Sequence, residues 1–272
     1  MVSLWILATL TILAVGIGHR VSIALRLSRY QRDKFKALYL AKAGLNFAIV
    51  ELEKDTNNYD ALNESWADNE EAFKKIVLDD NQTEFATVSY VTTDEYSNPK
   101  TIYGVVDEER DININEAPKE LLAKLFETKG IANSTEIANN ICAWRGGTGP
   151  DIIVPDYQDL GYSNKGKPFV SIEELMLVKD IDSQTYSKLK DSITVYGGNG
   201  GSNINTAPYE ILEIVCLWAA NALENPDINE GHAKSLAQKI INYRDGDDNK
   251  LVTQDDTPFT DAAQIITELN DF

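Results

Sequence analysis

The first eighteen residues, MVSLWILATLTILAVGIG, carry no charged side chain and few polar ones. That length is near the minimum for crossing a hydrocarbon core of about 30 Å. It predicts an inserted helix with Leu4, Trp5, Ile6, Leu7, Leu10, Ile12, Leu13, Val15 and Ile17 as the membrane anchor. A cleaved secretory signal would need a basic start and a small-residue cleavage site ahead of a break in structure. Instead the pattern runs on. Leu38, Ala41, Leu45, Ala48 and Leu52 recur at alternating spacings of three and four, and no proline occurs before Pro99. One helix over residues 4–53 follows, about 75 Å long at 1.5 Å per residue. Its first third belongs in the membrane and its last third packs on a domain. The alternative is a transmembrane helix joined to a separate soluble one.

Beyond the helix the periodicity changes. Residues 55–80 are acidic and polar, a loop with a short helix over 70–77. EFATVSYVT (84–92) and TIYGVV (101–106) are β-branched and aromatic and flank the turn-rich DEYSNPK, which predicts a hairpin. A long N-terminal helix laid on a small antiparallel sheet is the plan of a pilin-like subunit.

From Asp111 the pattern repeats. DININEAPKELLAKLF (111–126) and SNINTAPYEILEIV (202–215) share N-I-N-x-A-P and then an apolar helical spacing. EIANNICAWRGG (136–147) parallels SLAQKIINYRDG (235–246), with Arg145 matching Arg244. KPFVSIEELMLV (167–178) parallels TPFTDAAQIITEL (257–269), with Pro168 matching Pro258. Each unit predicts an extended entry, a helix with Pro in its first turn, a second helix ending in aromatic-Arg, then Pro-Phe and a third helix. Asn115 and Thr206 are placed to cap the helix starts. Trp144, Trp218, Phe169 and Phe259 are expected core anchors. The predicted fold is α+β: a long N-terminal transmembrane α-helix on a small antiparallel sheet, pilin-like, with a large all-α domain of two helix-hairpin-helix/SAM-like repeats.

Such repeats often bind DNA, and a membrane-anchored DNA-binding or uptake protein is the alternative function. Charge weighs against it. The chain of 272 residues has a formal net charge of −18, and residues 111–272 hold 13 Lys/Arg against 26 Asp/Glu, a net of −13. Non-specific affinity for nucleic acid comes from neutralising phosphates. The hairpin turns, TKGIANS and NPDINEGHA, hold a single usable glycine and two acids, Asp227 and Glu230. The two cysteines, Cys142 and Cys216, are not in a C-x-x-C arrangement. They fit either one disulfide or two buried thiols. No G-x-S-x-G, phosphate loop or H-E-x-x-H occurs, so no catalytic residue is proposed and a non-enzymatic protein is expected.

In DGDDNKLVTQDD (245–256), Asp245, Asp247, Asn249, the Leu251 carbonyl and Asp256 fall at relative positions 1, 3, 5, 7 and 12 of a calcium loop. Oxygen ligands spaced this way suit a hard cation such as Ca²⁺ in a structural role. Lys250 stands where the sharp turn wants glycine, and Asp256 where a longer Glu is usual. A solvated acidic loop is the plain alternative. In the first repeat, an equivalent site would depend on Asp151, Asp156 or Asp159.

The order of these features resembles the type II secretion minor pseudopilin K (GspK) family. LWILATLTILAVGIGHR, YLAKAGLNFAIVELEKD, a short sheet, ININEAP, PFVSIEELMLVKDI, YSKLKDSI and NINTAP occur in that family's order over nearly the whole chain. The resemblance implies a structural protein at the tip of a periplasmic pseudopilus. Its partners would be other minor pseudopilins and inner-membrane lipid, and its helical domain is of a type associated with calcium. It implies a single-pass inner-membrane protein with its bulk in the periplasm. The basic belt His19, Arg20, Arg26, Arg29, Arg32, Lys34 and Lys36, taken alone, predicts a cytoplasmic C-terminal side. A missing short basic leader would reconcile the two. Residues 1–32 contain no Asp or Glu, so the anchor lacks the early glutamate of ordinary pilin-like subunits, which a tip subunit does not need. The chain divides on this reading into an anchor (1–30), a pilin-like helix and sheet (31–110) and two helical repeats (111–198 and 199–272). A related pilus machine is the remaining alternative.

Overall fold

The computed structural model describes residues 1–79, 81, 83–93, 99–198, 201–222, 229–246, 255–261 and 264. It forms two compact units. One comprises Met1–Asp55 with Asn69–Val105, the other Thr56–Asp68 with Val106–Phe272. The two units divide at residue 105, and residues 56–68 group with the helical one.

In the first unit, α1 (Val2–Glu53) is a single unbroken helix of 52 residues, as the continuing periodicity predicts. The face it packs is the predicted one only at Ala48. Leu38, Leu45 and Leu52 are exposed, while Gly44, Ala48 and Glu51 are buried, at spacings of four and three. The reason is steric: a Cβ built on Gly44 would lie 3.0 Å from the Ala86 Cβ. Small residues let the sheet approach the helix backbone, and the bulky apolar side chains are left outside. Phe47 then meets the buried ring of Phe73 edge-on, with centroids 5.7 Å apart.

The short helix α2 (Glu70–Phe73) starts at Asn69, whose side chain accepts from the Ala72 amide at 3.0 Å. Strands β1 (Ile76–Val77) and β2 (Phe85–Ala86) pair antiparallel, as do β3 (Tyr90–Thr93) and β4 (Pro99–Ile102). The predicted hairpin forms, with Tyr90 opposite Ile102, and its turn lies outside the described residues. The first half of its leading strand turns away to pair with β1. The expected small sheet is thus two two-stranded ladders.

The second unit is built on two helical hairpins. A 3-10 turn at Glu108–Arg110 leads into β5 (Ile112–Asn113), then α3 (Lys119–Thr128) and α4 (Ser134–Trp144). A long loop with 3-10 turns at Gln158–Leu160 and Ile172–Leu177 follows, then α5 (Ser183–Leu189) and β6 (Ile193–Thr194). The second hairpin is α6 (Tyr209–Ala222) and α7 (Glu230–Arg244). Within each hairpin the helices pack together, and the hairpins meet through α3 and α6. Leu122, Leu125 and Phe126 of α3, Ile141 of α4, Ile211 and Ile214 of α6 and Ala237 of α7 share one buried core.

Two expectations are corrected here. The module is not all-helical, because β5 and β6 form a parallel ladder that brings the end of the first repeat back to its beginning. The third helix expected after Pro168 is a 3-10 segment, and its counterpart in the second repeat lies almost wholly outside the described residues.

Candidate functional site

The repeated residues make the same contacts twice. Asn115 Nδ2 donates to the Phe169 carbonyl at 3.1 Å, and its Oδ1 accepts from the Phe169 amide at 2.7 Å. Asn205 does the same to Phe259, at 2.9 and 2.8 Å. One side-chain amide thus presents a donor and an acceptor to a single residue's backbone, as a neighbouring strand would. The preceding asparagines orient these clamps. Asn113 Oδ1 accepts from the Asn115 amide at 2.9 Å, and Asn203 Oδ1 accepts from the Asn205 amide at 3.0 Å.

Arginine closes each module from the other side. Arg145 donates to the carbonyls of Ile114 and Ala117 at 2.5 and 2.7 Å. Arg244 donates to those of Ile204 and Ala207 at 3.4 and 2.7 Å. The guanidinium is a planar fork with several donors and no acceptor, so it suits a turn that leaves two carbonyls unpaired. Pro118 and Pro208 follow those turns and lack an N–H of their own. The phrase N-I-N-x-A-P with a distant Arg is therefore a fold-holding clasp, and its second asparagine is spent on backbone.

The capping roles expected of Asn115 and Thr206 are corrected accordingly. Pro118 precedes α3 with no side-chain cap, because the Asn115 amide is occupied by Phe169. The Thr206 hydroxyl donates to Asp107 Oδ2 at 2.5 Å. Asp107 also accepts from Asn203 Nδ2 at 2.9 Å, and Glu108 accepts from the Thr194 hydroxyl at 2.5 Å. The acidic stretch 107–111 bonds to both repeats and is the seam between them. Only its charge density signalled this in the sequence.

Residues 56–68 are held in the same unit. The Asp60 carbonyl accepts from Asn203 Nδ2 at 3.0 Å, and buried Trp66 donates its indole N–H to Glu64 at 3.1 Å.

Trp144, Phe169 and Phe259 are buried as expected, and Trp218 is partly buried against the same core. Trp144 gathers Tyr157 and Tyr162 at centroid distances of 5.4 and 6.2 Å. Beside them Lys165 pairs with Glu174 at 2.5 Å. Burial opposes the Glu174 charge, but Lys165 and the Val170 amide hold its carboxyl below the usual range.

Cys142 on α4 and Cys216 on α6 are both buried and both free, so no disulfide joins them. Burial raises both thiols, Cys216 to about 11.

Of the proposed calcium loop, Asp247, Asn249 and Leu251 lie outside the described residues. Asp245 is buried, and its Oδ1 accepts from Arg244 Nε at 2.6 Å. Asp256 is half-buried. The first of the five expected ligands is thus partly committed to the clasp arginine. Of the acids in the first-repeat loop, Asp156 accepts from the Gln158 amide at 2.9 Å.

Beside the first hairpin turn lies a cleft of about 430 Å³ lined by Asn133, Asp180, Asp182 and Lys188 among others. Lys188 donates to the Gly130 carbonyl at 3.2 Å. Two carboxylates around the turn that would meet a phosphate make this a poor DNA contact.

On α1, Leu4, Trp5, Ile6, Leu7, Leu10, Ile12, Leu13, Val15 and Ile17 are each more than half exposed. An 18-residue window of this helix has mean hydropathy 1.9 and none of it is buried, so the helix is long and apolar enough to cross a membrane. Its two threonine hydroxyls are satisfied internally: Thr9 donates to the Ile6 carbonyl at 2.9 Å and Thr11 to that of Leu7 at 2.6 Å. That removes the cost of carrying them into lipid.

No protein-family model matches the sequence, and no curated protein matches it. Among solved structures, the chain is similar to a chain of the crystal structure of the GspK-GspI-GspJ complex from the enterotoxigenic Escherichia coli type 2 secretion system. The TM-score is 0.50 at 17% identity, over 77% of this chain and 82% of that one. The fold is pilin-like and similar to that of a chain of this complex. At this identity the likeness speaks for architecture. The elements of this chain run in the order long apolar helix, small antiparallel ladders and then a large helical body.

Proposed function

We propose that this chain is a minor pseudopilin of a type II secretion system, a structural rather than catalytic component. It sits at the tip of the pseudopilus, helps to initiate its assembly and so serves protein export across the outer membrane. The observation that carries the reading is the fold shared with the GspK-GspI-GspJ complex over 77% of the chain. On this reading the partners are other minor pseudopilins and the lipid of the inner membrane. Nucleic acid is not a partner. The anchor crosses the inner membrane once and the bulk of the chain lies in the periplasm.

The surface left unpacked on α1 supports the proposal. Leu38, Tyr39, Leu45, Ile49, Val50 and Leu52 are exposed beyond the membrane-length segment, and apolar side chains on a helix face are the natural contact for neighbouring helices. The 245–256 loop is proposed as a structural Ca²⁺ site in the second repeat.

The test is genetic. Deleting the gene in its own host should abolish export of type II substrates to the medium while they accumulate in the periplasm, and the full-length chain should restore export. Undiminished export in the deletion strain would overturn the proposal.

A further inference from the structure

Asp111 is the one carboxylate on the inter-repeat seam with a buried oxygen that lacks a hydrogen-bond partner among the described residues. Its neighbours are Asp107 and Glu108 on its own segment and Asp191 at the corner between α5 and β6. Arg110 is the opposing cation. Asp191 is itself paired with Lys190 at 3.4 Å. Asp107 and Glu108 are engaged as acceptors by Thr206, Asn203 and Thr194. The backbone around Asp111 is the ladder joining the two ends of the first repeat. The Ile112 amide donates to the Ser192 carbonyl at 3.1 Å and the Ile114 amide to that of Thr194 at 2.9 Å. The Ser202 hydroxyl, at the entry to the second repeat, donates to the Asp111 carbonyl at 3.4 Å.

We infer that Asp111 makes the joint between the two ends of the first helical repeat proton-sensitive, so that this joint tightens on acidification and loosens at neutral pH. An ionised, half-buried carboxylate with an unpartnered oxygen, beside three other acids, opposes closure of the joint between β5 and β6. A protonated one removes the repulsion and gains a donor.

The pKa agrees in direction. Burial, offset in part by Arg110 and reinforced by Glu108, Asp107 and Asp191, raises the Asp111 carboxyl from 3.8 to about 6. A carboxyl raised on folding makes the folded state bind more protons across that window. Its stabilising contribution is complete below the unfolded value and is lost as pH rises through about 6.

The experiment compares the full-length chain in detergent with Asp111→Asn, which mimics the protonated group. Thermal unfolding and amide hydrogen exchange at Ile112 and Ile114 are followed from pH 4.5 to 8. The difference between the two proteins isolates this group from the other carboxylates. Asp111→Asn should exchange these amides about ten- to a hundredfold more slowly than the parent at pH 7.5 and no more slowly near pH 4.5. Parallel profiles for the two proteins would overturn the inference. Should Asp111→Asn not fold, Asp191→Asn serves instead. It removes one repelling charge at an exposed site and should lower the pH at which protection is lost, and an unmoved midpoint would overturn the inference equally.

Discussion

Asn205→Ala removes the clamp of the second repeat and leaves the rest of the phrase in place. Asn205 is only 3% exposed and Phe259, its partner, equally so. Truncation leaves the Phe259 N–H and C=O without their contacts at 2.8 and 2.9 Å. Each buried polar group left unpaired costs about 1–3 kcal/mol, so about 3 kcal/mol is expected for the pair once local relaxation is allowed. For a body of this size, 1 kcal/mol moves the melting temperature by roughly 2–4 °C, giving a fall on the order of 6–12 °C. Asn115→Ala should cost less, since Asn115 is half-buried and water can replace part of what it gives Phe169. The assay is thermal unfolding of the two variants beside the parent, with amide exchange at Phe169 and Phe259 to show that each loss is local to its own clamp. A variant at Asn205 as stable as the parent, or exchange at Phe259 unaltered, would refute the reasoning.

Other consequences follow from single contacts. Gly44→Leu drives a side chain into Ala86, 3.0 Å from the added Cβ, and should destabilise the first unit by about 1–3 kcal/mol; an unchanged unfolding curve would count against the packed face assigned to α1. Cys216, raised to about 11 by burial, should label at pH 8 roughly a hundredfold more slowly in the folded chain than in denaturant; equal rates would show it is open to solvent. Calcium at about one hundred times its dissociation constant should stabilise the helical body by about 2.7 kcal/mol over chelator, with Asp256→Asn removing the gain. Identical melting in both buffers would remove the 245–256 loop from consideration as a metal site.

The long helix was legible in the sequence because eighteen uncharged residues run into a three-four apolar repeat without a proline. Its packed face was legible only at Ala48. Periodicity points at the large apolar residues, but small ones set how closely a helix and sheet approach, so Gly44 and Ala48 took the inside and Leu45 and Leu52 the outside. The duplication was plain from N-I-N-x-A-P, whereas the work done by its asparagines depends on Phe169 and Phe259, each 54 positions further on. A local rule for helix starts assigns Asn115 a cap; tertiary contact assigns it a clamp. The parallel ladder between β5 and β6 joins two-residue strands some eighty positions apart, too short for any strand pattern to register. Residues 56–68 read only as an acidic polar loop because a partner of theirs, Asn203, lies in the second repeat.

The central claim is tested most directly by co-expressing the full-length chain with the other minor pseudopilins of its own genome. The material is extracted in detergent and passed over size-exclusion chromatography with mass detection. The account expects a stoichiometric complex that holds together through the column. A chain that elutes alone while those pseudopilins associate with one another would contradict it.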